Sequence, residues 1–165
     1  MLLAIISDIH DNLANLQKFL FWCHNHKVKK LIFCGDATTI ETIIYLTANF
    51  PGKIFMVGGN SEIYQINQLK KYIHLDYCGE AGIKRIGALK IGLCHEPQKI
   101  KYLLKLAAND LDFIFYGHTH KPALTRSDST IIANPGNIAG IFYQPTFATL
   151  ETNNKKLELK ILTNL

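Results

Sequence analysis

Short apolar runs alternate with helix-like stretches along this chain, and five of the runs end beside residues able to bind a metal or a proton. The runs are Leu2–Ile6, residues 31–33, residues 54–57, Leu89–Cys94 and residues 113–116. Runs of this length and composition read as strands buried on both faces. Between the first three lie two stretches of helical spacing. The first covers about 12–26, with Leu13, Leu16, Leu20 and Cys23 on one face and Asn12 as its N-cap; the second covers 38–48 and is closed by the turn Pro51-Gly52. Further helices are expected over 61–72 and, with a proline in its first turn, over 97–108. Residues 83–86 pair with Leu89–Cys94 around Gly87, and 123–126, 130–133, 147–151 and 157–162 read as antiparallel strands, the last two joined at Asn153-Asn154. A βαβαβ beginning followed by a mostly β remainder predicts an α/β sandwich of mixed sheets covered by helices, in one domain over 1–165.

The composition excludes several classes. With 48% hydrophobic and 19% charged residues among 165, the chain has enough apolar content for a core and does not resemble a disordered segment. No apolar run approaches the roughly 20 residues that span a membrane, and no basic segment precedes the first strand, so a cytoplasmic protein with no membrane partner is expected. The four cysteines, Cys23, Cys34, Cys78 and Cys94, lack the close spacing of a zinc ribbon or a disulfide framework and read as reduced thiols. A net charge of +5 reads first as solvated faces and turn ends and second as a surface for phosphate-bearing ligands; it is too mild for a nucleic-acid footprint, so no sequence-specific nucleic-acid partner is expected.

The chemistry lies just past the strands. Asp8 and His10 follow the first, Asp36 the second and Asn60 the third; His95 ends the fourth run, and His118 and His120 follow the fifth. Ligands in open α/β sheets bind beyond the carboxyl ends of strands, where residues distant in sequence converge. Asp8 and His10, two apart, project to one side, as do His118 and His120. Glycines before Asp36, Asn60 and His118 allow close approach. This mixed oxygen and nitrogen set suits borderline divalent ions. Seven ligands exceed what one ion needs, so two ions are the economical reading, with Asp36 the natural bridge.

Asp8-Ile9-His10-Asp11-Asn12, Gly35-Asp36, Gly59-Asn60, His95 and Gly117-His118-Thr119-His120, in this order, resemble the calcineurin-like metallophosphoesterase superfamily. Within it the chain is similar to the small bacterial and archaeal phosphodiesterases of the YfcE type; Asn134-Pro135-Gly136-Asn137 also looks like a turn of that family. The resemblance implies a four-layer α/β/β/α sandwich with two mixed sheets. It implies one metal bound by Asp8, His10, Asp36 and His120 and a second by Asp36, Asn60, His95 and His118. The chain departs from the family pattern in three places. Ser61 follows Asn60 where a histidine is frequent, Glu96-Pro97 follows His95 where Gly-His is frequent, and Asp11 stands where glycine is common and is given a loop role.

The expected activity is hydrolysis of a small phosphodiester by a metal-bridging hydroxide, the two metals about 3.5–4 Å apart. Mn²⁺ is the first choice of ion, with Fe²⁺, Zn²⁺ and Ni²⁺ also suited. Asp36, Asn60 and His118 are the expected catalytic residues, and Asn60 and Asn134 the expected substrate-binding ones. The rival is a non-catalytic, Vps29-like scaffold or metal-binding interaction module, which would be expected to lose ligands; here all are in place. Cys34 and Cys94 read as buried thiols, His24 and His26 as helix-end surface residues and His74 as structural. Phe21 and Trp22 read equally as core or as a partner surface. The apolar C-terminal hairpin, with Ile141-Phe142-Tyr143 before it, either packs internally or forms a homo-oligomer contact.

Overall fold

The computed structural model describes residues 1–164. Its first sheet takes β1 (Leu2–Ile6), β2 (Lys30–Phe33), β3 (Lys53–Met56), β4 (Leu75–Tyr77), β10 (Thr146–Glu151) and β11 (Lys156–Ile161), in the order β11-β10-β1-β2-β3-β4. The second takes β5 (Ala81–Ile86), β6 (Leu89–Cys94), β7 (Phe113–Phe115), β8 (Ala123–Ser127) and β9 (Thr130–Asn134), in the order β5-β6-β7-β9-β8. Both are mixed: β1 to β4 run parallel, while β10 is antiparallel to β1; β6, β7 and β9 are parallel, with β5 and β8 antiparallel at the edges.

Alternation along the strands builds the layers. Leu3 and Ile5 of β1, with Ile32, Phe55 and Val57, meet Ile91, Leu93, Phe113 and Phe115 of the opposite sheet. Their neighbours Ala4, Ile6, Leu31, Phe33 and Ile54 face away and pack under α1 (Leu13–Asn25) and α2 (Ile40–Asn49) through Leu16, Phe19, Leu20, Ile43 and Leu46. On the outer face of the second sheet, Ile114 and Ile132 pack with Leu103 of α3 (Ile100–Leu106). The result is the four-layer α/β/β/α sandwich that the family resemblance implies. It puts both faces of β1, β2 and β7 in the core, which is why those runs read as continuously apolar.

The structure departs from expectation at 61–72. In place of an α-helix there is a loop and then a 3₁₀ helix at Ile66–Lys71. The backbone amide of Ser61 donates to Asp36, that of Ile63 donates to the Thr38 carbonyl, and the Glu62 side chain accepts from the Asp36 amide. Those groups are committed to the β2 loop and are not available for an i to i−4 ladder. Trp22 belongs to the helix-side core, stacked on His26 at 4.0 Å between ring centroids, whereas Phe21 is exposed. In the C-terminal hairpin β10 lies beside β1, while Ile141, Phe142 and Tyr143 before it are exposed. His74 is structural, its Nε2 3.1 Å from the Thr47 carbonyl.

Asp11 has a defined loop role. One carboxylate oxygen accepts from the Thr39 amide (3.1 Å), the Thr39 hydroxyl (2.8 Å) and the Thr42 hydroxyl (2.5 Å). Thr39, the N-cap of α2, makes no side-chain cap of its own, so the β1 loop caps the next helix from outside.

Candidate metal centre

Backbone bonds bring the strand-end loops together. Asp36 accepts from the amides of Ile9 (2.8 Å) and His10 (3.1 Å), which joins the β1 loop to the β2 loop. Gly117 donates to the His95 carbonyl at 3.0 Å and joins the loops after β7 and β6. The His118 amide donates to Asp8 Oδ2 at 3.1 Å and links the two sheets across the site. Glycine is required at two of these junctions. A Cβ on Gly59 would stand 2.0 Å from Asp36 Oδ1, and one on Gly117 would stand 1.9 Å from Ser7 Oγ. Asp8, His10, Asp36, His118 and His120 all have φ between 43° and 67°. Such left-handed positions are uncommon outside glycine and are held only where surroundings over-determine them.

The predicted residues converge. His10 Nε2 and His120 Nε2 lie 3.2 Å apart; from Asp8 Oδ1 they are 3.7 and 3.2 Å. Asp36 Oδ2 is 3.6 Å from His10 Nε2 and 3.3 Å from His95 Nε2. Asn60 Oδ1 lies 2.8 Å from both His95 Nε2 and His118 Nδ1. Asp8, Asp36 and His95 are buried, His10 and His120 half-buried, and Asn60 and His118 exposed at the rim. Two triads have the spacing of metal ligands: Asp8, His10 and His120, and Asp8, Asp36 and His95.

Two features fit a cation here. Asp8 Oδ1 is buried and no hydrogen-bond donor reaches it with good geometry, a costly state for a carboxylate oxygen unless something positive faces it. His95 Nδ1 lies 2.7 Å from the Cys34 carbonyl, which can only accept, so that nitrogen carries the hydrogen. In the neutral ring Nε2 then presents a lone pair to Asp36 Oδ2 and Asn60 Oδ1, two further acceptors. A divalent ion satisfies all three, and the Cys34 carbonyl holds the ring in the tautomer that ligation needs.

Without such an ion, protons fill the role. Asp8 and, beyond it, Asp36 raise the His10 imidazole above its ordinary range, against the opposing effect of burial. Burial opposes charge on His95, but Asp36 prevails and raises it as well. Burial likewise works against ionisation of Asp36, and His95 with Ser61 outweighs it, holding the carboxyl far below the usual carboxylate range.

Asn134, expected to touch substrate, lies beneath the loop of His118 and His120. It is 2% exposed, and its amide nitrogen donates to the Gly117 carbonyl (2.8 Å) and lies 3.1 Å from the Thr119 hydroxyl, while its oxygen accepts from the Gly136 amide (2.8 Å). Its polar groups are spent on propping the loop that carries His118 and His120. A Pro-Gly turn directly after a buried strand held the signal for this scaffolding role, since such a turn needs an internal hydrogen-bond partner. Ser61 and Asn137 also support the site. Ser61 holds both oxygens of Asp36, and Asn137 donates to the His120 carbonyl at 3.0 Å. A cavity of about 190 Å³ opens beside Asn60 and His95, with the ion-paired Lys99 and Glu80 on its wall.

The chain matches the model of the calcineurin-like phosphoesterase superfamily domain over residues 1–155, and it belongs to that family. It is by family a metal-dependent phosphoesterase, a hydrolase. A phosphodiesterase of Methanocaldococcus jannaschii is 27% identical over 160 residues, covering 94% of this chain and 96% of that protein. A solved archaeal phosphodiesterase superposes with a TM-score of 0.86 at 24% identity, over 98% of this chain and 99% of that one. Vps29 of Entamoeba histolytica, solved with Zn²⁺, shares the fold at a TM-score of 0.71 and 22% identity, over 96% and 90% of the two chains.

Proposed function

We propose that this chain, as one domain over 1–165, hydrolyses small phosphodiesters at a pair of divalent metals, with Mn²⁺ as the working ion. Asp8, His10, Asp36 and His120 would hold the first metal, and Asp36, Asn60, His95 and His118 the second. The observation that carries this reading is the position of Asp36 Oδ2, within 3.6 Å of the nearest imidazole nitrogens of both His10 and His95, as a bridging carboxylate requires. Metals held there would supply an acidified water and offset charge on the phosphoryl oxygens.

The chain's own residues do the rest. Asn60 has its amide nitrogen free to donate to a phosphoryl oxygen while its oxygen faces His95 and His118. Water adds to phosphorus and the bond to the leaving alcohol oxygen breaks. Ser61 stands where a histidine is frequent in the family, and its hydroxyl is committed to Asp36, so the departing oxygen takes its proton from solvent. Diesters with acidic leaving alcohols are therefore the better substrates. Likeness to the Methanocaldococcus phosphodiesterase supports the diester class. The free, mostly buried thiols accord with a reducing cytoplasm, and no described helix is long and apolar enough to cross a membrane. The rival scaffold reading draws on the fold shared with Vps29 alone.

Hydrolysis of bis-p-nitrophenyl phosphate before and after chelation tests the proposal. Activity should vanish with the metal and return with Mn²⁺. Full activity after thorough metal removal would contradict it, and metal binding without turnover of any ester would favour the scaffold.

A further inference from the structure

Phe142 is out of place by two measures. It is 87% exposed, and its φ is 64°, a backbone conformation that a bulky side chain adopts only when its surroundings impose it. An exposed phenylalanine contributes little to folding, so a strained and exposed one needs another reason. Its ring centroid lies 5.8 Å from that of His120, tilted by 42°, within the range of paired aromatic rings. His120 in turn stands 3.2 Å from Asp8 Oδ1, inside the first ligand triad.

The loop that carries Phe142 is tied to the site. Asn137 Oδ1 accepts from the amides of Gly140 (2.5 Å) and Ile141 (3.0 Å), and the same side chain donates to the His120 carbonyl. One asparagine therefore sets the position of Phe142 relative to His120. Asn137 is fully buried, and Asn15 and Asn12 donate to the Ile138 and Ala139 carbonyls, which pins the start of the loop to α1. The exposed ring therefore follows a hydrogen-bonded loop start and stands beside His120 of the ligand triad.

We infer that Phe142 is a specificity-determining residue, a stacking wall for a flat aromatic group carried by the phosphate ester. The inference rests on the phosphoesterase reading of the site and narrows its substrates to esters of aryl alcohols or of nucleosides, whose shared feature is a planar ring. Such a ring gains from face or edge contact with an aromatic wall, and an alkyl ester of the same charge does not.

Affinities of phenylphosphonate and methylphosphonate for the Mn²⁺-loaded protein test this. The two carry the same head group and differ in the ring, and neither is hydrolysed. Titration calorimetry should show a preference of about tenfold for phenylphosphonate in the wild type, lost in Phe142→Ala and kept in Phe142→Trp. Equal affinities in the wild type, or a preference that survives in Phe142→Ala, would overturn the stacking role and leave the phosphoesterase reading intact. Failure of the loaded wild-type protein to bind either phosphonate would overturn both.

Discussion

Ser61 grips both oxygens of Asp36: its amide donates to Oδ1 and its hydroxyl to Oδ2, each at 2.9 Å. The hydroxyl thus bonds the oxygen that lies between His10 and His95. Removing it in Ser61→Ala leaves the amide bond and frees the carboxylate to rotate. Partners of this kind tune ligands by about 10- to 100-fold. Ser61→Ala should weaken Mn²⁺ binding by about tenfold in calorimetry with little change in thermal stability. Unchanged affinity would show that the amide alone orients Asp36.

Asp8 Oδ1 is buried, with no well-directed hydrogen bond and only the His10 and His120 imidazoles beside it, so metal binding and stability are coupled there. Saturating Mn²⁺ should raise the melting temperature of the wild type by about 5–10 °C. In Asp8→Asn the rise should be largely lost, because the carboxylate that faces the metal is gone. A rise as large as that of the wild type would contradict Asp8 as a ligand.

Protons and metals compete for His10 and His95. Asp8 raises His10; burial resists charge on His95, but Asp36 raises it too, both above the ordinary 6.5. In the metal-free protein these raised values contribute stability that is fully present below pH 6.5 and is lost as pH rises through them. Ligation needs the same nitrogens unprotonated. Mn²⁺ affinity should therefore rise with pH, and the stabilisation by metal should be larger at about pH 8 than at about pH 6. Equal stabilisation at both would contradict the ligand assignment.

Asp11 caps α2 from the β1 loop. Asp11→Ala should cost about 1 kcal/mol of stability, the usual value of a helix cap, measured by urea denaturation. Because Asp11 sits beside His10, activity should fall less than it does for any ligand variant.

Much of this molecule is legible in its residues, for physical reasons. Leu2–Ile6 and Leu89–Cys94 read as buried strands because both their faces are in the core, and the seven ligand-type residues stand out because charge and imidazole at strand ends have few structural uses. The loop at 61–65 was not legible, since its amides are claimed by Asp36 and Thr38, partners more than twenty residues away. The three-residue β4 is too short to show a period. Asn134 carries a donor–acceptor side chain suited equally to substrate or scaffold, and its bond to the Gly117 carbonyl is not announced by the residue pattern. The exposed strain at Phe142 lies in a backbone angle that no residue pattern announces.

The central claim is that Asp36 bridges two catalytic metals, and metal stoichiometry measured together with turnover tests it most directly. Wild-type protein should bind two Mn²⁺ per chain and hydrolyse bis-p-nitrophenyl phosphate, and Asp36→Ala should lose tight binding of both ions and the hydrolysis with them. An Asp36→Ala protein that still binds two ions tightly, or that retains wild-type turnover, would contradict the account.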